Sequence, residues 1–181
     1  MTDIPGPLVF AVAGIPAPQG SKRLVGHGHM IESSSKVKPW REAVKWAALA
    51  AISRQGWQTT IRPVEVTITF LLARPKKHYR TGRCADQLRD DAPTWVNRTP
   101  DLSKLVRSTE DALTEAGVWR DDAQAVVEHT EKRWAGDDLP PGALITIQVL
   151  DDSPAGPSAG HTISVPANTG GEQPPLPKED Y

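Results

Sequence analysis

Residues 99–134 read TPDLSKLVRSTEDALTEAGVWRDDAQAVVEHTEKRW, and their spacing predicts one helix followed, after a tight turn, by a strand. Leu102, Leu105, Val106, Thr109, Ala112, Leu113 and Ala116 recur at i, i+3, i+4 and i+7, which gives the helix a single apolar stripe to lay on a sheet. Pro100 and Asp101 mark its start, and Gly117 is placed to end it in the left-handed conformation. Residues 125–134, AVVEHTEKRW, then read as a strand.

The flanking sequence supplies a second helix and the rest of the sheet. LVFAVAG (8–14) is an apolar run suited to a buried strand, and KRLVGHGHMIES (22–33) forms two short arms around Gly-His-Gly, a predicted hairpin. KPWREAVKWAALAAISRQ (38–55) carries a proline near its start and Trp40, Val44, Ala47, Ala48, Ala51 and Ile52 at helical spacing. PVEVTITFLLA (63–73) alternates apolar residues with Glu65, Thr67 and Thr69, a half-buried strand, and ALITIQVL (143–150) reads as another strand. The order predicts an α+β fold, a small two-layer domain in which two main helices cover one face of a mixed β-sheet. That domain is expected over residues 1–150. Residues 151–181 are rich in Pro, Gly and Ser with hardly any large apolar side chain, and are expected to form a disordered tail.

Composition narrows the function. No apolar run reaches eighteen residues, and no basic segment precedes LVFAVAG, so neither a membrane span nor a secretory signal is expected and the cytoplasm is the predicted location. Cys84 is the only cysteine, which excludes an internal disulfide and a thiolate-rich zinc site; His27 and His29 have no third ligand beside them. The net charge of −1 hides a segregation, because Arg74, Lys76, Lys77, Arg80, Arg83, Arg89 and Arg98 crowd one long connection. A polyanionic partner therefore remains compatible with a near-neutral chain.

The acids of the opening stretch allow two readings. Asp101 sits where a capping residue belongs, but Asp121 and Asp122 are adjacent carboxylates in a turn, and their repulsion is relieved by a cation. A hard divalent ion takes one or two carboxylates together with waters and phosphate oxygens. On spacing alone, capping and metal ligation both stay open. Likewise Arg107 either pairs with Asp111 one turn on or projects beside such an ion.

PDLSKLVRSTEDALTEAGVWRDDAQ resembles the signature of the RusA family of Holliday-junction resolvases, approximately P-D-x-D-[NK]-L-x-[KR], then D-A-L, then G-x-[WFY]-x-D-D-x-Q. PAPQGSKR (16–23), ESSSKVKPWREAVKWAA (32–48) and RPKKHYRTGR (74–83) resemble the phage and actinobacterial branch of that family, so the resemblance spans roughly 8–150. It implies a homodimer that cuts four-way or otherwise branched DNA symmetrically, using Mg²⁺, with Mn²⁺ as an alternative, held by aspartates. By the same resemblance Asp101 and Asp122 are metal ligands, Asp121 stands beside them, and Arg107 occupies the position of a catalytic lysine. The second aspartate of P-D-x-D is Ser103 here, followed by Lys104, so the site has one carboxylate fewer; Ser103 offers a neutral oxygen instead, and Asp111 is an acid two turns further along. Lys22, Arg23, Arg74, Lys76, Lys77, Arg80, Arg83 and Lys104 are the expected DNA contacts. Lys36, Lys38, Arg41 and Lys45 add further candidates, while Tyr79 and Trp95 suit either base stacking or loop packing.

The reading is thus a Mg²⁺-dependent, structure-specific endodeoxyribonuclease of a bacterial or phage-infected cell. Two rivals are a junction-binding protein whose cleavage is weakened at Ser103 and a small metal-dependent phosphatase or nucleotide hydrolase.

Overall fold

Alternation within β4 (Val64–Leu72) organises the domain: Val64, Val66, Ile68 and Phe70 are fully buried, while Glu65, Thr67 and Thr69 point to the other, half-open face. The computed structural model describes residues 5–20, 22–25, 29–32, 35–136 and 139–151, with backbone alone at 22–25 and 29–32. β4 pairs antiparallel with β6 (Gly142–Val149) and parallel with β5 (Ala125–Trp134). β1 (Leu8–Ala13) adds antiparallel to β6, giving a mixed sheet in the order β1-β6-β4-β5. At the start of β6, Gly142 has no alternative: a Cβ there would lie 1.9 Å from the Val12 carbonyl oxygen.

Two helices cover one face of this sheet. α1 (Val37–Gln55) lies on β1 and on α2 (Leu102–Glu115), which is itself the crossover between the parallel strands β4 and β5. Trp40 fills the seam: its indole N–H donates to Thr109 Oγ1 at 3.1 Å, and its ring lies 6.4 Å from that of Phe70. The predicted stripe of α2 is the buried one, with Leu105, Val106, Thr109, Ala112 and Leu113 in the core and Leu102 half-buried. Gly117 follows at φ 75°, as expected of the residue that ends the helix.

Ser108 joins the buried side for a polar reason, donating to the Ala17 carbonyl at 2.7 Å. Together with the bond from the Gln19 amide to the Lys104 carbonyl (2.9 Å), this straps the Pro-Ala-Pro-Gln segment across α2. The expected hairpin at 22–33 is present as β2 (Lys22–Val25) and β3 (His29–Glu32), but it forms a separate two-stranded sheet. β5 is an edge strand, and the charges of Glu128, His129, Glu131, Lys132 and Arg133 guard its free side against pairing with another chain. The side chains of Lys22 and Arg23, the His27 position, and the expected tail beyond 151 lie outside the described residues. Among the described residues no helix is long and apolar enough to cross a membrane.

Candidate active site

The residues singled out around the opening motif lie along the seam between α2 and β5. At one end the Thr99–Pro100 peptide is cis and Asp101 opens the helix. Asp101 stands at the N-cap position yet makes no capping hydrogen bond; its carboxylate instead pairs with Lys104 at 3.0 Å. Capping therefore does not account for Asp101. Lys132, reaching from β5, donates to the carbonyls of Arg98 and Pro100 at 2.8 and 2.9 Å and fixes the backbone just ahead of that aspartate. Sequence reading passed over Lys132, although the parallel register places it opposite Phe70, on the helix-covered side of the sheet.

One turn further along α2, Ser103 and Arg107 are exposed. The alternative in which Arg107 pairs with Asp111 is not realised: Asp111 accepts from Arg41 of α1 at 3.3 Å, and Arg107 makes no ion pair among the described residues. Arg41 also pairs with Glu115, and Lys45 approaches the same carboxylate at 4.0 Å. These two α1 cations thus reach across to acids of α2.

The D-D-x-Q element resolves into unlike roles. Asp121 Oδ1 accepts from the Ala123 amide at 2.9 Å and Gln124 Oε1 accepts from the Asp121 amide at 3.0 Å, a reciprocal capping box around the short 3₁₀ turn Asp122–Gln124. Gln124 Nε2 then donates to the carbonyls of Thr60 and Arg62, both at 3.0 Å, which ties the turn to the entry of β4. Asp121 is thus occupied in holding the turn, and Asp122 is left free to face the seam.

Beyond Arg107 the seam becomes acidic. Glu110, one α2 turn on from Arg107, has Glu128 of β5 within hydrogen-bond reach and the carboxylates of Asp122 and Asp111 nearby. Burial first, and then the Glu128 carboxylate, push the Glu110 carboxyl up to about 7. Its Oε1 is fully buried and meets no donor among the described residues. Asp101 and Glu110 stand about 13 Å apart along the axis at about 1.5 Å per residue. Asp122 adds to the negative charge acting on the Glu110 carboxyl, while Asp101 pairs with Lys104 and Lys132 holds the backbone ahead of it. Among the described residues no three acidic, histidine or cysteine side chains stand ready around one point as a metal cage. A divalent ion needs no such cage: one or two carboxylates, waters and a phosphate oxygen satisfy it. Glu110 and Glu128 were missed by sequence reading, although Glu110 lies at i+7 from Ser103 on the same helical face.

The basic connection 73–101 borders the Asp101 end, and it is more ordered than its aperiodic sequence predicts. Two 3₁₀ turns, Lys76–His78 and Gly82–Cys84, and a bridge between Tyr79 and Leu88 give it a frame. Arg80 pairs with Asp90 at 2.7 Å and Arg89 with Asp91 at 2.9 Å, so part of its charge is neutralised locally. Lys76, Lys77 and Arg83 remain exposed. Arg74 and Arg98 stack on Trp134, 5.3 and 5.5 Å from its ring centre, and His78 meets the ring edge-on at 5.1 Å. Lys77, His78, Arg89, Asp91, Asn97 and Arg98 line a cleft of about 470 Å³ beside that tryptophan. Tyr79 is half-buried in the loop frame, whereas Trp95 is largely exposed. Cys84 lies in the same loop as a free thiol.

The fold and this seam set the context for comparison with known proteins. No curated protein matches the chain. The family Endodeoxyribonuclease RusA matches residues 13–148, a span running from the end of β1 through β6 and including the whole seam. The chain belongs to the RusA family of endodeoxyribonucleases, the metal-dependent enzymes that resolve Holliday junctions.

Proposed function

We propose that this chain is a Mg²⁺-dependent endonuclease that resolves four-way and related branched DNA during recombination, repair or phage DNA processing, acting as a homodimer because two symmetric cuts need two sites. The observation that carries the reading is the charge order along the seam between α2 and β5. Asp101, paired with Lys104 and preceded by backbone that Lys132 holds, opens it; Arg107, without an ion pair among the described residues, stands in the middle; and a group of carboxylates with Asp122 closes it. Lys104 compensates the Asp101 carboxylate, and Lys132 positions the backbone ahead of it. Arg107 is free to contact the scissile phosphate and the charge that develops on it. A divalent cation held by Asp101 and Asp122, the aspartates of the family motif, would supply Lewis-acid stabilisation of that same phosphate. Lys76, Lys77 and Arg83, exposed on the adjoining loop, and Arg74 over Trp134 suit the flanking DNA backbone; Lys22 and Arg23 are proposed to extend this surface. A long basic loop beside the seam favours a polymer over a small phosphate ester.

The test compares a labelled four-way junction, a linear duplex and a nucleotide with Mg²⁺ in one assay. Cleavage confined to the junction is expected. Asp101→Asn and Asp122→Asn should each remove that cleavage while junction binding persists or tightens, since phosphate repulsion falls. Parent-like cleavage in both variants would take these aspartates out of the mechanism. Ser103, exposed and without a hydrogen-bond partner among the described residues, supports a second reading, a junction-binding protein of weakened cleavage. In the same assay that reading would give tight junction binding with little product at any Mg²⁺ concentration.

A further inference from the structure

We propose that the cavity between the strap of residues 16–19 and the end of the basic connection receives one unpaired base of the branched DNA, beside the phosphate presented to Asp101. The proposal rests on the nuclease reading and adds to it a site for a nucleobase.

The cavity measures about 480 Å³, a size at which small organic groups are bound. Segments far apart in the chain build its walls: Ile15, Pro16 and Pro18 from the strap, Leu72 from the end of β4, and Val96 and Pro100 from the connection before α2. Leu72 and Val96 are buried and form an apolar floor, whereas Ile15 is 68% exposed and stands toward solvent. The charged residues of the lining are Lys36 and Arg98, both cations and both exposed, and among the described residues no acid joins them. Pro100 is the residue before Asp101, so the cavity and the catalytic end of α2 share a wall.

Arg98 indicates which ligand fits. Its side chain lines this cavity and also the cleft of about 470 Å³ that holds Lys77 and Asn97, so an apolar cavity and a cationic cleft adjoin across one residue. Two contacts fix Arg98 there: its guanidinium lies 5.5 Å from the centre of the Trp134 ring, and its carbonyl accepts from Lys132 at 2.8 Å. In the cleft Arg89 is taken by Asp91, while Lys77 and Arg98 make no ion pair among the described residues. A free anion would use the cleft and leave the apolar walls wet; an uncharged apolar ligand would leave the cations unused. A nucleotide matches both halves, its base among the prolines and Val96 and its phosphate on Arg98 and Lys77. A paired base stays in the stack and cannot enter. At a branch point pairing and stacking are interrupted, which lowers the cost of turning a base out.

The test binds the full-length protein, with no divalent metal so that nothing is cut, to four-way junctions that each lack one base flanking the branch point. A base held on a protein surface strengthens single-strand binding by about 5- to 150-fold, so one of these abasic junctions should bind the parent at least about fivefold more weakly than the intact junction. Ala73→Phe fills the cavity from an exposed position in its wall. That variant should bind the intact and the abasic junction alike, with its affinity for linear duplex unchanged. Should Ala73→Phe not fold, Ile15→Asn, at an exposed position, should shrink the same difference. A parent that binds every abasic junction like the intact one, or folded variants that keep the parent's discrimination, shows that the cavity takes no base and overturns the proposal. If that parent still cuts the intact junction with Mg²⁺, the nuclease reading stands without the base site. A parent that neither prefers nor cuts a junction overturns both.

Discussion

Lys132 Nζ lies 2.9 Å from the Pro100 carbonyl oxygen, so a side chain of an edge strand sets the position of the residue that precedes Asp101. With the second bond to Arg98 at 2.8 Å, the ammonium closes the basic loop onto the seam. Lys132→Met keeps the aliphatic stem but leaves two carbonyls without their donor. Hydrogen bonds from a charged donor contribute about 1.5–3 kcal/mol when buried. For this half-exposed pair the expected cost is roughly 1–2 kcal/mol in total, after solvent is allowed to replace part of it. Cleavage should fall further than stability does, by at least about tenfold, because small displacements of a positioned group cost about 100-fold in well-ordered sites. Urea denaturation and single-turnover junction cleavage separate the two effects, and undiminished cleavage would show that Asp101 needs no such support.

The basic loop makes a prediction that depends on which of its charges are already paired. Lys76 and Lys77 are exposed and have no acidic partner among the described residues, whereas Arg80 is held by Asp90 at 2.7 Å. Reversing both lysines to Glu should flatten the salt dependence of junction binding by roughly one unit of slope per lost phosphate contact. Arg80→Ala, which also frees Asp90, should weaken binding with a smaller change in slope. Titrations at several salt concentrations decide the matter; equal slopes for the parent and the lysine double variant would leave the loop outside the DNA interface.

His78 predicts a pH effect with a defined sign. Burial chiefly, and then Arg74, Lys77 and Arg98, lower its pKa from the ordinary value of 6.5. The unfolded chain then binds the proton more readily than the folded one, so stability is complete above about pH 6.5 and declines as pH falls toward the folded pKa. Glu110 acts in the opposite sense. Its carboxyl, raised from 4.5 to about 7, makes the metal-free fold lose stability as pH rises across that interval. The informative measurement is therefore the difference between the parent and His78→Phe, which keeps the edge contact with Trp134 and removes the titration. The variant should gain melting temperature relative to the parent as pH is lowered from 7 to 5, and a constant difference would remove His78 from the pH response.

Much of the fold was legible because its signals are local and periodic. The α2 stripe, the alternation of β4 and the helix over 38–55 each predict which side is buried, and Trp40 against Phe70 lies where those patterns converge. The site was less legible, for two physical reasons. Asp101 and the adjacent Asp121–Asp122 pair look alike in sequence, but hydrogen bonds set by tertiary structure give Asp121 to a capping box and leave Asp122 facing the seam. Glu110 and Glu128 lie 18 positions apart in sequence and meet only because α2 crosses back over β5, a relationship that no single-element pattern contains. Similarly, Arg41 reads as a surface cation until α1 is laid against α2 and Asp111 and Glu115 come within its reach.

Ser103 offers a test of how this chain arranges its acids. Ser103 is exposed, two residues after the Asp101 that opens the motif, and an aspartate there suits the positive end of the helix. Ser103→Asp restores the family's P-D-x-D, and the new carboxylate lies near Asp101 and one turn before Arg107. If the serine offers the ion only a neutral oxygen, the added carboxylate should lower the Mg²⁺ concentration needed for half-maximal cleavage, and Ser103→Ala should raise it. Cleavage measured against Mg²⁺ for the parent and these two variants decides the arrangement: a Ser103→Asp protein that needs as much Mg²⁺ as the parent, or more, shows that this position is not a ligand position in this chain.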